Sequence, residues 1–215
     1  MPALARFGFE LTDQLGRTRG SSEADPDLQR AAGLLQYPGN VWIWNPSVSL
    51  APRASSESQY RDARERLLAY NARLAKGKAN YDIRADNLLA TIERFAADIG
   101  SSSALIDRHL NEEAGRFFDA EADDIFYFTK GKLYGYYMVL QGLGTDFEPI
   151  IKERNLQKPW NEMMESFRKA ALLDPWVVMN GDPDAQFQPN HLATQGFYLL
   201  RARTQLREIS NILLK

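Results

Sequence analysis

Polar and apolar positions alternate along this chain with a helical period over most of its length. Tyr60, Leu67, Tyr70 and Leu74 fall on one stripe, and Tyr81, Ala85, Leu88, Ile92, Phe95 and Ile99 on a second. Spacings of three, four and seven bring each set to one face of an α-helix, the face a core can cover. Ser56 with Gln59 fits a capping box for the first helix, and Gly77 fits its stop. The short KGKAN link predicts a return helix packed antiparallel on the first. Gly100 predicts the end of that helix. A serine of the Ser101–Ser103 run then caps the next, which carries Leu105, Ile106 and Leu110.

The most aromatic stretch, Ile125 to Leu140, predicts a helix capped by Asp119, contacted on several sides and ending at Gly142–Gly144. Crossing a bilayer takes about 20 predominantly apolar residues. Lys130 and Lys132 interrupt this run, which is therefore expected in a core and not in a membrane. Trp160, Met163, Met164, Phe167 and Ala171 form a further apolar face, closed by Asp174-Pro175. The last helix begins near Pro189. Leu192, Gly196, Leu199, Ala202, Leu206, Ile209 and Leu213 make its inner stripe, with Arg201, Arg203 and Arg207 outside.

One segment breaks the period. Asp25-Pro26 opens a short helix, but residues 37–56 are rich in proline and serine around the alternating patch VWIW. A long ordered loop is expected there, with Trp42 and Trp44 lying across the helices or lining a ligand groove. The fold implied is all-α: an antiparallel bundle of six to eight helices in a single domain, 1–215, with the 37–56 loop packed on it.

Composition narrows the chemistry by exclusion. With 28 acidic and 26 basic residues the net charge is −2, which does not suit a dedicated nucleic-acid binder. The absence of cysteine removes disulfides, thiolate metal sites and cysteine nucleophiles together. The N-terminal MPALARFGFE lacks the basic start and apolar run of a signal peptide.

GDPDAQFQPNHL places Asp182, Asp184 and Gln186 at the alternating positions of a calcium loop. Such a loop needs glycine at its sixth position and glutamate at its twelfth. Counted from Asp182, those positions hold Phe187 and Ala193, and Pro183 stiffens the chain between the first two ligands. A turn into the last helix is expected instead. From Glu112 to Asp124 run six carboxylates (Glu112, Glu113, Asp119, Glu121, Asp123 and Asp124) against Arg116 alone. Di-metal bundles place glutamate three residues before histidine, whereas His109 precedes Glu112 and His191 follows Gln188. No metal or cofactor is expected, and the acids suit helix ends and a solvated face. There is no G-x-S-x-G elbow, phosphate loop or dinucleotide fingerprint.

Three long stretches, LTDQLGRTRGSSEADPDLQRAAGLLQYPG, YNARLAKGKANYDIRADNLLATIERFAADIGSSS and PNHLATQGFYLLRARTQLREISNILLK, together resemble an uncharacterised bacterial family, domain of unknown function 2333. The resemblance implies a membrane-anchored protein with this domain outside the cytoplasm, the anchor being absent from the present chain. It transfers no catalytic residue. The function expected is a non-enzymatic interaction or scaffolding domain of the cell envelope. Its partner is a protein, a second copy of the chain included, and its candidate surface comprises Trp42, Trp44 and the six acids. The alternative is an enzyme or small-ligand binder with a groove near the tryptophan loop and the acidic cluster.

Overall fold

The computed structural model describes residues 1–19, 25–44, 51–113, 120–182 and 186–215. Eight helices and no strand occur among them, an all-α architecture. None of the described helices is long and apolar enough to cross a membrane. Contacts divide the chain into two compact units, Met1–Asp82 and Ile83–Lys215.

The first unit holds α1 (Pro2–Arg19), α2 (Pro26–Leu35) and α3 (Ser56–Leu74), with α2 packed against both of the others. Asp25 starts α2 as expected. Its carboxylate accepts from the backbone N–H groups of Asp27 and Leu28, and Pro26 occupies the first turn, where no N–H is needed. Arg73 of α3 clamps this cap, with Nη2 2.7 Å from Asp25 Oδ1 and Nη1 2.6 Å from Asp27 Oδ2. Hydrogen bonds from Arg73 and then Arg66 hold the Asp27 carboxyl below the usual carboxylate range. Leu15, Leu28 and Tyr70 form one buried cluster, and Leu34, Leu35 and Ala63 another. Burial, with Asp25 close by, pushes the Tyr70 hydroxyl up to about 12.

Gly77 ends α3 in the expected way. It adopts φ 65°, its N–H donates to Leu74 and the N–H of Lys78 donates back to Arg73. Those two bonds make a Schellman motif, which favours a residue without Cβ. The start of α3 differs from expectation. Ser55 is the cap, accepting from the N–H of Ser58, while Ser56 is buried and its hydroxyl binds the preceding loop. The helix α1 carries no clean apolar stripe in its sequence. Glu10 and Gln14 occupy buried positions on it, Gln14 donating to Glu10 across one helical turn.

The second unit comprises α4 (Ala85–Glu113), α5 (Ala120–Asp146), α6 (Glu148–Glu153), α7 (Gln157–Leu172) and α8 (His191–Leu213). Here α8 packs on α4 and α7, and α5 packs on α7. The inner stripe of α8 is as predicted: Leu192, Leu199, Ala202, Leu206, Ile209 and Leu213 are buried. Around them close Leu88, Ile92, Phe95, Ile99, Phe126, Leu133, Tyr136, Met163 and Phe167.

Several expectations need correcting. The helices flanking the KGKAN link each have a partner within their own unit, α3 packing on α2 and α4 on α8. Gly100 does not end a helix. It lies inside the continuous α4, where a Cβ would stand 2.9 Å from Cζ of Arg203, so its small size admits the α8 guanidinium. Arg203 is accordingly half-buried and not on the outer face. The Ser101 hydroxyl, placed mid-helix, donates back to the carbonyl of Asp98 at 2.6 Å and caps nothing. Gly144 likewise lies within α5, under the Trp160 indole of α7, whose Nε1 would meet a Cβ at 2.7 Å. The predicted cap of α5, Asp119, falls outside the described residues.

Candidate functional site

The most reactive-looking cluster in the second unit is buried. Lys132 Nζ lies 3.0 Å from the Ser102 hydroxyl, the contact a serine–lysine nucleophile would require. The same ammonium lies 3.1 Å from the Asp98 carbonyl and 2.9 Å from Asp98 Oδ2. Its three donors are therefore matched by three acceptors, with none left for a substrate. Tyr136 also donates to Asp98 Oδ2 and stacks obliquely on Phe95, centroids 4.6 Å apart. The cluster ties α4 to α5 and has the character of a structural network. Among the described residues, no three His, Asp or Glu side chains converge as metal ligands would.

The segment that resembled a calcium loop is a braced turn. Asn180 and Asn190 form an isolated antiparallel bridge, and the N–H of His191 donates to the Met179 carbonyl at 2.9 Å. Asn190 caps α8 by accepting from Ala193, and its amide donates to the Gly181 carbonyl at 2.6 Å. Gly181 is obligatory, because a Cβ there would lie 2.2 Å from the Gln188 carbonyl oxygen. His191 Nδ1 accepts from the N–H of Met179 at 2.9 Å, and burial lowers its pKa below the ordinary histidine value. Asp182 and Gln186 point to solvent, while Asp184 lies outside the described residues.

Beside this turn the surface becomes aromatic. Of the four tryptophans only Trp160 is buried; Trp176 is 103% exposed, and Phe187, at the turn, is 96% exposed. Trp176 does not hang on a loose tail. The Tyr127 hydroxyl donates to the Pro175 carbonyl at 3.0 Å, Lys130 pairs with Asp174 at 2.6 Å, and Val178 is buried. These contacts fasten Asp174 and Pro175 to α5 just before the indole, and the chain is buried again at Val178 after it. On α5 itself Tyr127 and Phe128 are exposed, as are Tyr134 and Met138 further along. The aromatic helix is contacted by α4, α6, α7 and α8, as expected, and leaves this one face open.

The predicted acids meet these aromatics. Asp123 and Asp124 are exposed one turn before Tyr127 and Phe128, so each carboxylate shares a helix face with an aromatic ring. Glu121 is exposed in the first turn of α5, where an acid favours the helix dipole. Glu112 is exposed at the far end of α4; the side chain of Glu113, like Asp119, is outside the described set. Trp176 and Phe187 had gone unnoticed in the sequence. The available signal was an aromatic placed directly after Asp174-Pro175, beyond the end of a helix.

Trp42 and Trp44 belong to the first unit and are 75% and 65% exposed, with Ile43 between them at 59%. The expectation that these tryptophans cover the helices is overturned. What packs inward is polar: the Ser56 hydroxyl donates to Pro38 and accepts from Val41, and the Tyr60 hydroxyl donates to Tyr37. An open groove of about 730 Å³ lies at the foot of this loop, lined by Met1, Gly39, Ser56, Glu57, Tyr60, Arg61 and Arg64. Neither Trp42 nor Trp44 is among its lining residues.

The chain is all-α, with buried cores and several large aromatics exposed on its surface. The chain itself belongs to the family of uncharacterized proteins conserved in bacteria, domain of unknown function 2333, whose model matches residues 4–116. No curated protein and no solved structure matches it.

Proposed function

We propose that the protein is a non-enzymatic interaction module of the bacterial cell envelope. Its second unit presents the surface of Trp176, Tyr127, Phe128, Asp123 and Asp124 to a partner protein with a basic face. The observation that carries this reading is Trp176, fully exposed directly after a segment that Tyr127 and Lys130 fasten to α5. A rigid exposed indole loses little entropy on binding, and tryptophan is enriched among residues that dominate interface energies. The flanking carboxylates speed the encounter with a basic partner and select against acidic ones. Support for the envelope comes from the resemblance to membrane-anchored members of the family. The alternative groove has no comparable support, since Trp42 and Trp44 are absent from its lining.

A photo-crosslinking amino acid at position 176, introduced into the protein in its own bacterium, tests the proposal. A discrete protein adduct in the envelope fraction is expected, weakened by Asp123→Lys with Asp124→Lys. No adduct at 176, while control positions inside the core behave normally, would overturn it.

A further inference from the structure

The first unit exposes its apolar residues in a different form. We infer that Val41–Trp44 is a lipid-binding finger, with Trp42, Ile43 and Trp44 entering the interfacial zone of a bilayer that carries anionic headgroups. The inference concerns a separate surface and does not rest on the function proposed above.

Three observations carry it. Three consecutive side chains, Trp42, Ile43 and Trp44, are all exposed. The chain bends at Ile43, so the three side chains project from the tip of a loop. The backbone, moreover, is prepared for a medium poor in water. The Val41 carbonyl accepts from the N–H of Ser56 at 2.9 Å, and the Ile43 carbonyl from the N–H of Arg53 at 3.0 Å. The Val41 N–H donates to the Ser56 hydroxyl at 2.8 Å, and Arg53 Nε reaches the Trp42 carbonyl at 3.4 Å. Unpaired backbone groups are costly at that depth, and here the carbonyls of Val41, Trp42 and Ile43 and the N–H of Val41 are paired.

Charge is the third observation. From Gln36 to Ser56 the sequence contains no aspartate or glutamate, although the whole chain has 28, and Arg53 is its sole charge. At the foot of the finger, Arg61 and Arg64 line the groove with Glu57. Arg61 pairs with Glu57, and Arg64 has no ion-pair partner among the described residues. Tryptophan favours the headgroup level of a bilayer, and basic residues nearby are attracted to anionic lipid. Trp176 has a different setting: Asp174, paired with Lys130, lies two residues before it, and Asp123 lies one turn before Tyr127, whose hydroxyl binds Pro175. The charge pattern therefore selects lipid for the finger and protein for the second unit.

Flotation of the full chain with vesicles of phosphatidylglycerol and phosphatidylethanolamine, and with vesicles of phosphatidylcholine alone, tests the inference. Binding to the anionic vesicles is expected. Trp42→Ala with Trp44→Ala should lower it at least about tenfold, because affinity scales with inserted apolar area. Arg64→Glu should lower it several-fold and flatten its salt dependence, as roughly one phosphate contact is lost. Trp176→Ala should leave it unchanged. All four side chains replaced are exposed, and circular dichroism with melting curves confirms that each variant folds. Failure of the unaltered protein to float, or equal flotation of the double variant, would overturn the finger. Equal binding to both vesicle types would overturn the anionic preference. A double variant that keeps its lipid binding but loses the crosslink from position 176 would make the finger a protein contact, again against the inference.

Discussion

The tryptophan finger of the first unit and the Trp176 surface of the second both expose indole, in different electrical settings. The finger stands in a stretch without a carboxylate whose one charge is Arg53, beside a groove lined by Arg61 and Arg64 with Glu57. Trp176 stands directly after a segment pinned to α5, with Asp174 two residues before it and Asp123 one turn before Tyr127. Exposure alone says that a residue awaits a partner; the charges around it say which kind. The family match covers the finger and ends before the Trp176 surface, so the assignment to the family speaks for the first region and not for the second.

The comparison supposes that each surface is carried by its own core, and the strongest way to break it is to damage one. Leu206 is fully buried on α8, and Leu206→Ala should cost roughly 2–5 kcal/mol through lost burial and the cavity left behind. Hydrogen exchange should show the loss of protection in Ile83–Lys215, with vesicle binding by the finger retained below the melting temperature. Loss of protection spread evenly over both units would merge the two regions into one. Arg201→Ala, on the exposed face of α8, is the control and should change stability by less than about 0.5 kcal/mol.

A smaller perturbation acts on the frame of the Trp176 surface. Gly181→Ala brings a Cβ against the backbone oxygen of Gln188, which cannot swing aside as a side chain would. Overpacking of this kind costs about 1–3 kcal/mol. The expected result is a lower melting temperature together with a weaker crosslink at 176, while flotation stays unaltered. A change in flotation would show that the finger depends on this turn.

These frames were legible in the sequence to different degrees. The inner stripe of α8 and the Schellman stop at Gly77 were visible because each is local: a period of three and four, and a residue free to take positive φ. Gly100 and Gly144 misled because their reason is not local. Each makes room for a side chain from another helix, Arg203 and Trp160, and a sequence read along one strand of chain sees only a helix breaker. The helix α1 was hidden for a related reason, since buried Glu10 and Gln14 interrupt its apolar face. For the site, the acids of α5 were legible as a run of charge. Trp176 was not, because tryptophan ordinarily signals burial and its exposure depends on how Tyr127 and Lys130 fasten the neighbouring backbone.

His191 offers a way to loosen the same frame without altering its volume. Its Nδ1 accepts from Met179, which requires a neutral ring, and burial sets its folded pKa below the unfolded value of about 6.5. The unfolded chain then binds the proton more readily. Stability from this group is fully present above the unfolded pKa and is lost as pH falls through the folded one. Melting curves between about pH 7.5 and about pH 5 should therefore show a decline that is smaller in His191→Gln, where no ring titrates. An equal decline in the variant would place the acid sensitivity elsewhere. The crosslink at 176 should weaken over the same range if the turn helps to position that surface.

The finest test exchanges the electrical settings. Glu121, Asp123 and Asp124 are exposed, so replacing all three by lysine should shift the melting temperature only slightly; isolated surface charges contribute little to folding. Some loss is expected from Glu121, whose charge is favourable in the first turn of α5 and whose reversal is not. The binding consequences should be larger than the stability consequences. The crosslink to a basic partner at 176 should fall, most visibly at low salt, where attraction between exposed charges is least screened. In a chain whose finger has been disabled by Trp42→Ala and Trp44→Ala, the same reversal places lysines beside an exposed indole. That is the combination held responsible for lipid binding in the first unit. Partial recovery of flotation with anionic vesicles, absent with phosphatidylcholine, is the expected outcome. Unchanged crosslinking would remove the acids from the proposed interface. No recovery, with crosslinking lost, would show that charge chooses the protein partner of Trp176 while lipid binding needs the finger's own geometry of three consecutive exposed apolar side chains.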